Sequence, residues 1–78
     1  MVVRIEIKAL CAMFWHGDKL IAGCKYDWQS NSMDCQILGN GYVIGFGFPC
    51  FNDGKDLSDA IGKTKMRLQK EYGNIEFC

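Results

Sequence analysis

The sequence predicts an α+β two-layer sandwich: an antiparallel sheet of two hairpins, four strands or five with a short last one, packed under one C-terminal helix. Three observations carry this. Apolar residues alternate with polar ones along Val3 to Met13, along Leu20 to Trp28 and between Met33 and Phe48. Turn-forming residues divide these runs at Gly17-Asp18 and at Gly39-Asn40-Gly41. From Leu57 to Tyr72 the apolar spacing changes to three and four, the period of a helix. With 78 residues the chain has room for a single domain, residues 1–78, and one modest core.

In the first run, Val3, Ile5, Ile7, Ala9, Cys11 and Met13 alternate with Arg4, Glu6 and Lys8, which reads as one long strand with a buried face. Closing the hairpin at Gly17-Asp18 sets Trp15 opposite Leu20, Met13 opposite Ala22, Cys11 opposite Cys24, Ile7 opposite Trp28 and Lys8 opposite Asp27. Leu20, Ala22, Cys24, Tyr26 and Trp28 then line the core face of the second strand. Ser30-Asn31-Ser32 is a loop. The second hairpin turns at Asn40-Gly41, which opposes Leu38 to Val43, Ile37 to Ile44, Cys35 to Phe46 and Met33 to Phe48. Tyr42, Ile44, Phe46 and Phe48 share one face, and Val43, Gly45 and Gly47 take the other. Pro49 ends that strand because it has no N–H to give the ladder. Asp56 is the expected N-cap, Gly73 the stop, and Leu57, Ala60, Ile61, Thr64, Leu68 and Tyr72 the stripe that covers the sheet. Asn74 to Cys78 would add the short edge strand.

Nine basic and nine acidic residues cancel, which argues against a protein that grips phosphate backbones by bulk charge. The segment MVVRIEIK lacks the basic-then-apolar order of a secretion signal, and no apolar run reaches the length of a membrane span. A cytoplasmic, reduced setting without membrane contact is the expectation.

Cysteines at 11, 24, 35, 50 and 78 include no CxxC pair and have only His16 to complete a metal set. His16 lies five residues beyond Cys11, about 16 Å along a strand, too far to share a metal with Cys11 and Cys24. The same separation denies a cysteine nucleophile its base. Cys11, Cys24, Cys35 and Cys50 therefore read as small core residues, with no catalytic residue, metal or cofactor expected. The glycines of GNGYVIGFGF lie inside a strand instead of between a strand and a helix, so they do not form a phosphate loop.

The outward face of this sheet reads as unusually bare. Gly45 and Gly47 leave it flat, Ala12 and Gly23 oppose one another, and Leu10, Phe14, Ile21, Leu38 and Val43 surround them. These residues are the expected protein-binding surface, with scattered apolar exposure, or cover by the final segment, as an equal alternative. On this reading Gly47→Arg would block the contact and leave the fold intact. Lys63, Arg67 and Lys70 form a basic stripe on the helix, with Lys55 just before it, the alternative site for single-stranded nucleic acid. A solvated face whose charge suits the helix dipole is its plainer reading.

The leading expectation is thus a non-catalytic protein-binding module that docks on a larger protein, with a homodimer through the bare face as a further option and nucleic acid second. In size and lack of enzymatic motifs the chain resembles small phage inhibitors of host machinery, anti-CRISPR proteins among them, although no residue motif carries that likeness. Four strands followed by a helix are also the layout of transcription coactivators that hold single-stranded nucleic acid on a sheet.

Overall fold

The computed structural model describes residues 1–78 as β1 (Val2–Lys8), β2 (Cys11–His16), β3 (Lys19–Asp27), β4 (Ser32–Leu38), β5 (Val43–Pro49), α1 (Gly54–Tyr72) and β6 (Glu76–Phe77). The fold is α+β, one helix against one sheet, but the sheet has six strands and is mixed, in the order β5-β4-β3-β2-β1-β6. Neighbours are antiparallel except β6, which runs parallel to β1, with Val3 beside Phe77.

The expected first strand is in fact two. Ala9 and Leu10 reverse the chain between β1 and β2, with Lys8 paired to Cys11, Ile7 to Ala12 and Ile5 to Phe14. Ala9 takes the left-handed region (φ 49°), which an L side chain adopts at a cost of about 1–2 kcal/mol. Through a two-residue turn an odd-numbered residue faces an even-numbered one, so the core-facing set passes from Val3 and the half-buried Ile5 to Ala12 and Phe14. Ala12 and Phe14 therefore belong to the core, and Cys11, Met13 and Trp15 to the opposite face.

A second irregularity follows at once. Trp15 opposes Leu20 as expected, but Phe14 opposes Ala22, so Ile21 is the extra residue of a β-bulge. Beyond it Met13 opposes Gly23, Ala12 opposes Cys24 and Cys11 opposes Lys25. Neither the Cys11–Cys24 pair nor the Lys8–Asp27 pair exists. The bulge shifts parity a second time, which returns Ala22, Cys24 and Tyr26 to the core face on which the sequence placed them. Leu20 and Trp28, expected beside them, are exposed.

From β3 onward the pattern is regular. Asp27 shapes the β3–β4 turn: the Gln29 N–H and the Ser30 hydroxyl both donate to its carboxylate, at 3.0 and 2.9 Å. These bonds, the Ser30 hydroxyl first, hold that carboxyl below the ordinary aspartate range. Cys24 and Cys35 are cross-strand partners, and β4 and β5 pair in the register that Asn40-Gly41 dictates. The helix starts three residues before the expected Asp56. Asp53 is the N-cap and accepts from the Asp56 N–H at 2.9 Å, while the Asp56 carboxylate accepts from Asp53 N and Phe51 N, at 3.2 and 2.7 Å. Such a capping box satisfies two donors at the start of a helix reciprocally. Leu57, Ala60, Thr64 and Leu68 are buried against β3 and β4, and the Tyr72 hydroxyl donates to the Leu38 carbonyl to pin the far end. Thr64, the one buried polar residue, spends its hydroxyl on the Ala60 carbonyl at 2.7 Å.

The face assignment of β2 can be checked by truncation. Phe14→Ala empties a fully buried site and should lower the unfolding free energy by about 3–5 kcal/mol, whereas Met13→Ala on the other face should lower it by less than about 1 kcal/mol. Urea unfolding measures both, and a larger loss for Met13→Ala would restore the unbroken strand.

Candidate functional site

These parity changes reduce the bare face. Phe14 and Ile21, expected to meet a partner, are sealed in the core with Ala12, and Leu10 is half-buried and packs against that core from its turn. What remains outside over β1 and β2 is dressed. The Trp15 indole N–H donates to Glu6 at 3.1 Å, Arg4 lies 5.8 Å from the Trp15 ring, and Lys8 pairs with Glu6 at 3.6 Å. Between Met13, Leu20, Gly23 and Leu38 lies an open trough of about 250 Å³. That is below the usual range for a small-molecule site.

Leu38, Val43, Gly45 and Gly47 do lie together outside, at the β4–β5 corner. There the sheet ends. β5 pairs with β4 on one side and has no neighbour on the other. Gly39 donates to the Tyr42 carbonyl at 2.8 Å and Cys50 to the Asn31 carbonyl at 2.9 Å, at the two ends of the ladder. Bonded pairs recur at every second residue, so Ile44, Phe46 and Phe48 turn their N–H and C=O groups to β4. Those of Val43, Gly45 and Gly47 point away from the sheet. The open edge thus presents three donors and three acceptors, two pairs of them on residues with no side chain to shield them. Pro49 closes the row.

Only one of the two glycines is replaceable. A Cβ on Gly47 would lie 2.8 Å from the Met33 carbonyl oxygen, too close for the backbone to stay in place, while one on Gly45 would meet nothing nearer than 4.0 Å. Gly47→Arg therefore strains the ladder before it reaches a partner, contrary to the expectation from sequence. Gly45 is the position for a clean probe.

The inner face of β5 carries Ile44, Phe46 and Phe48, all half-exposed because α1 lies over β3 and β4. Cations from the helix reach across to these rings. Lys63 Nζ sits 3.6 Å from the centroid of Phe48 and Arg67 Cζ 4.7 Å from that of Phe46. Together with Met66 and Lys70 they line a groove of about 410 Å³ floored by Phe46. No carboxylate pairs with any of the three cations, since the sole ion pair joins Lys8 and Glu6. Of the basic stripe, Lys63, Arg67 and Lys70 are gathered here, and Lys55 is left in the helix's first turn. Their meeting with Phe46 and Phe48 joins residues far apart in sequence and had no local signal.

Sequence reading also missed two exposed aromatics. Trp28 is 68% exposed and Phe51 91%. Ser32 pairs with Pro49, so the loops bearing them leave the same end of the sheet. Trp28 stands edge-on to Tyr26 at 4.9 Å, and the capping box fixes the backbone of Phe51.

The cysteines offer no comparable arrangement. Cys24, Cys35 and Cys50 are buried, Cys11 is half-buried on the outer face, and all five are free thiols. A side-chain hydrogen bond to Cys35, helped by burial, pushes the Cys24 thiol up, which keeps it protonated and unreactive. No three His, Cys, Asp or Glu side chains are grouped to hold a metal ion, and His16 is exposed beside its turn. Comparison with protein-family models, with curated proteins and with solved structures finds no match.

The asymmetry of the glycines is measurable. Gly47→Ala should lower stability by about 1–3 kcal/mol, the usual penalty for forcing extra atoms into a packed site. Gly45→Ala should leave it unchanged or raise it by up to about 1 kcal/mol, through a less flexible unfolded chain. Thermal unfolding of the two variants decides, and equal behaviour would mean that β5 lies farther from Met33 than the structure has it.

Proposed function

We propose that this protein is a non-catalytic binding module that captures an extended segment of another protein along the open edge of β5. The observation that carries the reading is the edge itself: a seven-residue strand, VIGFGFP, with no charged residue, whose outward main-chain groups have no partner. Most edge strands are blunted by charge, by brevity or by a covering segment. The other edge here, β6, is only two residues long. β5 carries none of these devices except Pro49, and Pro49 stands at its end.

Strand addition suits such an edge. An incoming segment pairs with Val43, Gly45 and Gly47 through the main chain, and its alternate side chains fall on the two faces of the sheet. On the outer face they meet Leu38 and Val43; on the inner face they meet Phe46 and Phe48. Trp28 and Phe51 at one end of the sheet are exposed anchors of the kind that dominate interface energies. A domain this small, acting by occupying a segment of a larger protein, would serve as an inhibitor or adaptor.

A proline at position 45 tests this with little harm to the fold. The Gly45 N–H points to the open edge, so Gly45→Pro removes a donor that the β4 ladder does not use. In affinity capture from cell extract, proteins retained by the wild type should be lost with Gly45→Pro, while circular dichroism shows both folded. A retained set that Gly45→Pro does not change would place the binding surface elsewhere.

A further inference from the structure

We propose that the segment captured at the β5 edge carries acidic side chains at alternate positions, an acid-x-acid strand whose carboxylates meet Lys63 and Arg67. The proposal rests on the reading of β5 as a capture edge and names the chemistry of what it captures.

The geometry begins with the two cations. Lys63 hangs over Phe48 and Arg67 over Phe46, so their heads lie above strand positions two residues apart. Two residues along a strand span about 6.8 Å, and the four residues from Lys63 to Arg67 span about 6 Å of helix. The two ladders nearly match. An incoming strand lies about 4.8 Å beyond β5, with side chains at every second position on the same face as Phe46 and Phe48. Carboxylates at two such positions stand within reach of Lys63 and Arg67 together, and a third, two residues on, approaches Lys70 in the same groove.

Charge selects the occupant. The groove's three cations have no carboxylate of their own, in a chain whose formal net charge is zero. Lys63 and Arg67 rest on aromatic faces, where a cation gains only weakly at an exposed site. A second copy of the chain is a poor fit for the edge. Its own β5, VIGFGFP, brings no acid, and antiparallel self-pairing would set Lys63 and Arg67 of both copies around one axis. An acidic segment neutralises what a second copy would double.

The test uses the full chain and three seven-residue peptides with blocked ends: TEVEVET, TQVQVQT and TKVKVKT. Each is titrated into isotopically labelled protein, with the amides of Val43, Gly45 and Gly47 as the readout. All three address the edge, and only the charge differs. Two or three partly exposed ion pairs should make the glutamate peptide bind about tenfold more tightly than the glutamine one, with the lysine peptide weakest. That advantage should shrink as salt is raised. In Lys63→Gln with Arg67→Gln the glutamate preference should vanish, and in Lys63→Glu with Arg67→Glu it should pass to the lysine peptide. Both positions substituted are exposed helix sites, and circular dichroism confirms the fold. Equal shifts of the edge amides by all three peptides would overturn the acidic preference and leave edge capture standing. No shift of those amides by any peptide would overturn both. A peptide-free dimer joined through these amides would assign the edge to a second copy and overturn the proposal. So would a twelve-nucleotide oligo(dT) that binds the groove with a steep salt dependence and is not displaced by the glutamate peptide.

Discussion

An α-helix with its side chains is about 10 Å across, and neighbouring strands lie about 4.8 Å apart, so one helix roofs little more than two strands. Here a single helix serves a sheet of six. It lies over β3 and β4 and reaches β2, and the rest of the structure follows from how the uncovered strands are treated. On the β1 side Leu10, Ile75 and Phe77 pack against the core, with Phe77 edge-on to Phe14 at 6.2 Å. On the β5 side the long stems of Lys63 and Arg67 lean over Phe48 and Phe46 instead. Apolar cover on one flank seals it; cationic cover on the other leaves it accessible and charged.

The parts legible in the sequence are those whose signals are local. Asn40-Gly41 fixed the β4–β5 register residue by residue, and the stripe from Leu57 to Tyr72 placed the helix face. What the sequence hid were two changes of parity. The reversal at Ala9-Leu10 contains no glycine, proline or asparagine, and the alternation runs through it without a break, so β1 and β2 read as one strand. The bulge at Ile21 then reversed the error, which is why β3 was assigned the right face from the wrong register. Between these two points every inference about faces failed, and Phe14 and Ile21 fell there. The candidate site was legible only in pieces. Helical spacing groups Lys63, Arg67 and Lys70, and alternation groups Phe46 and Phe48. Their meeting depends on where the helix crosses the sheet, which no local pattern encodes.

The core explains why the remaining chemistry is quiet. Cys24 and Cys35 are cross-strand partners under α1, and the neighbouring Cys35 side chain, helped by burial, keeps the Cys24 thiol protonated. They fill space that larger side chains beneath the helix would overpack. Chemistry-bearing groups at the surface are dispersed, whereas main-chain donors, acceptors and cations converge at β5.

All of this depends on β5 being an open edge, and amide hydrogen exchange reads that property directly. In the free protein the amides of Ile44, Phe46 and Phe48, bonded to β4, should exchange slowly. Those of Val43, Gly45 and Gly47, in the same strand, should exchange as fast as loop amides, since protection follows hydrogen bonding and burial. An alternating pattern along one strand is the result expected. Uniform protection from Val43 to Phe48 would contradict it, by showing that the outward groups already have partners.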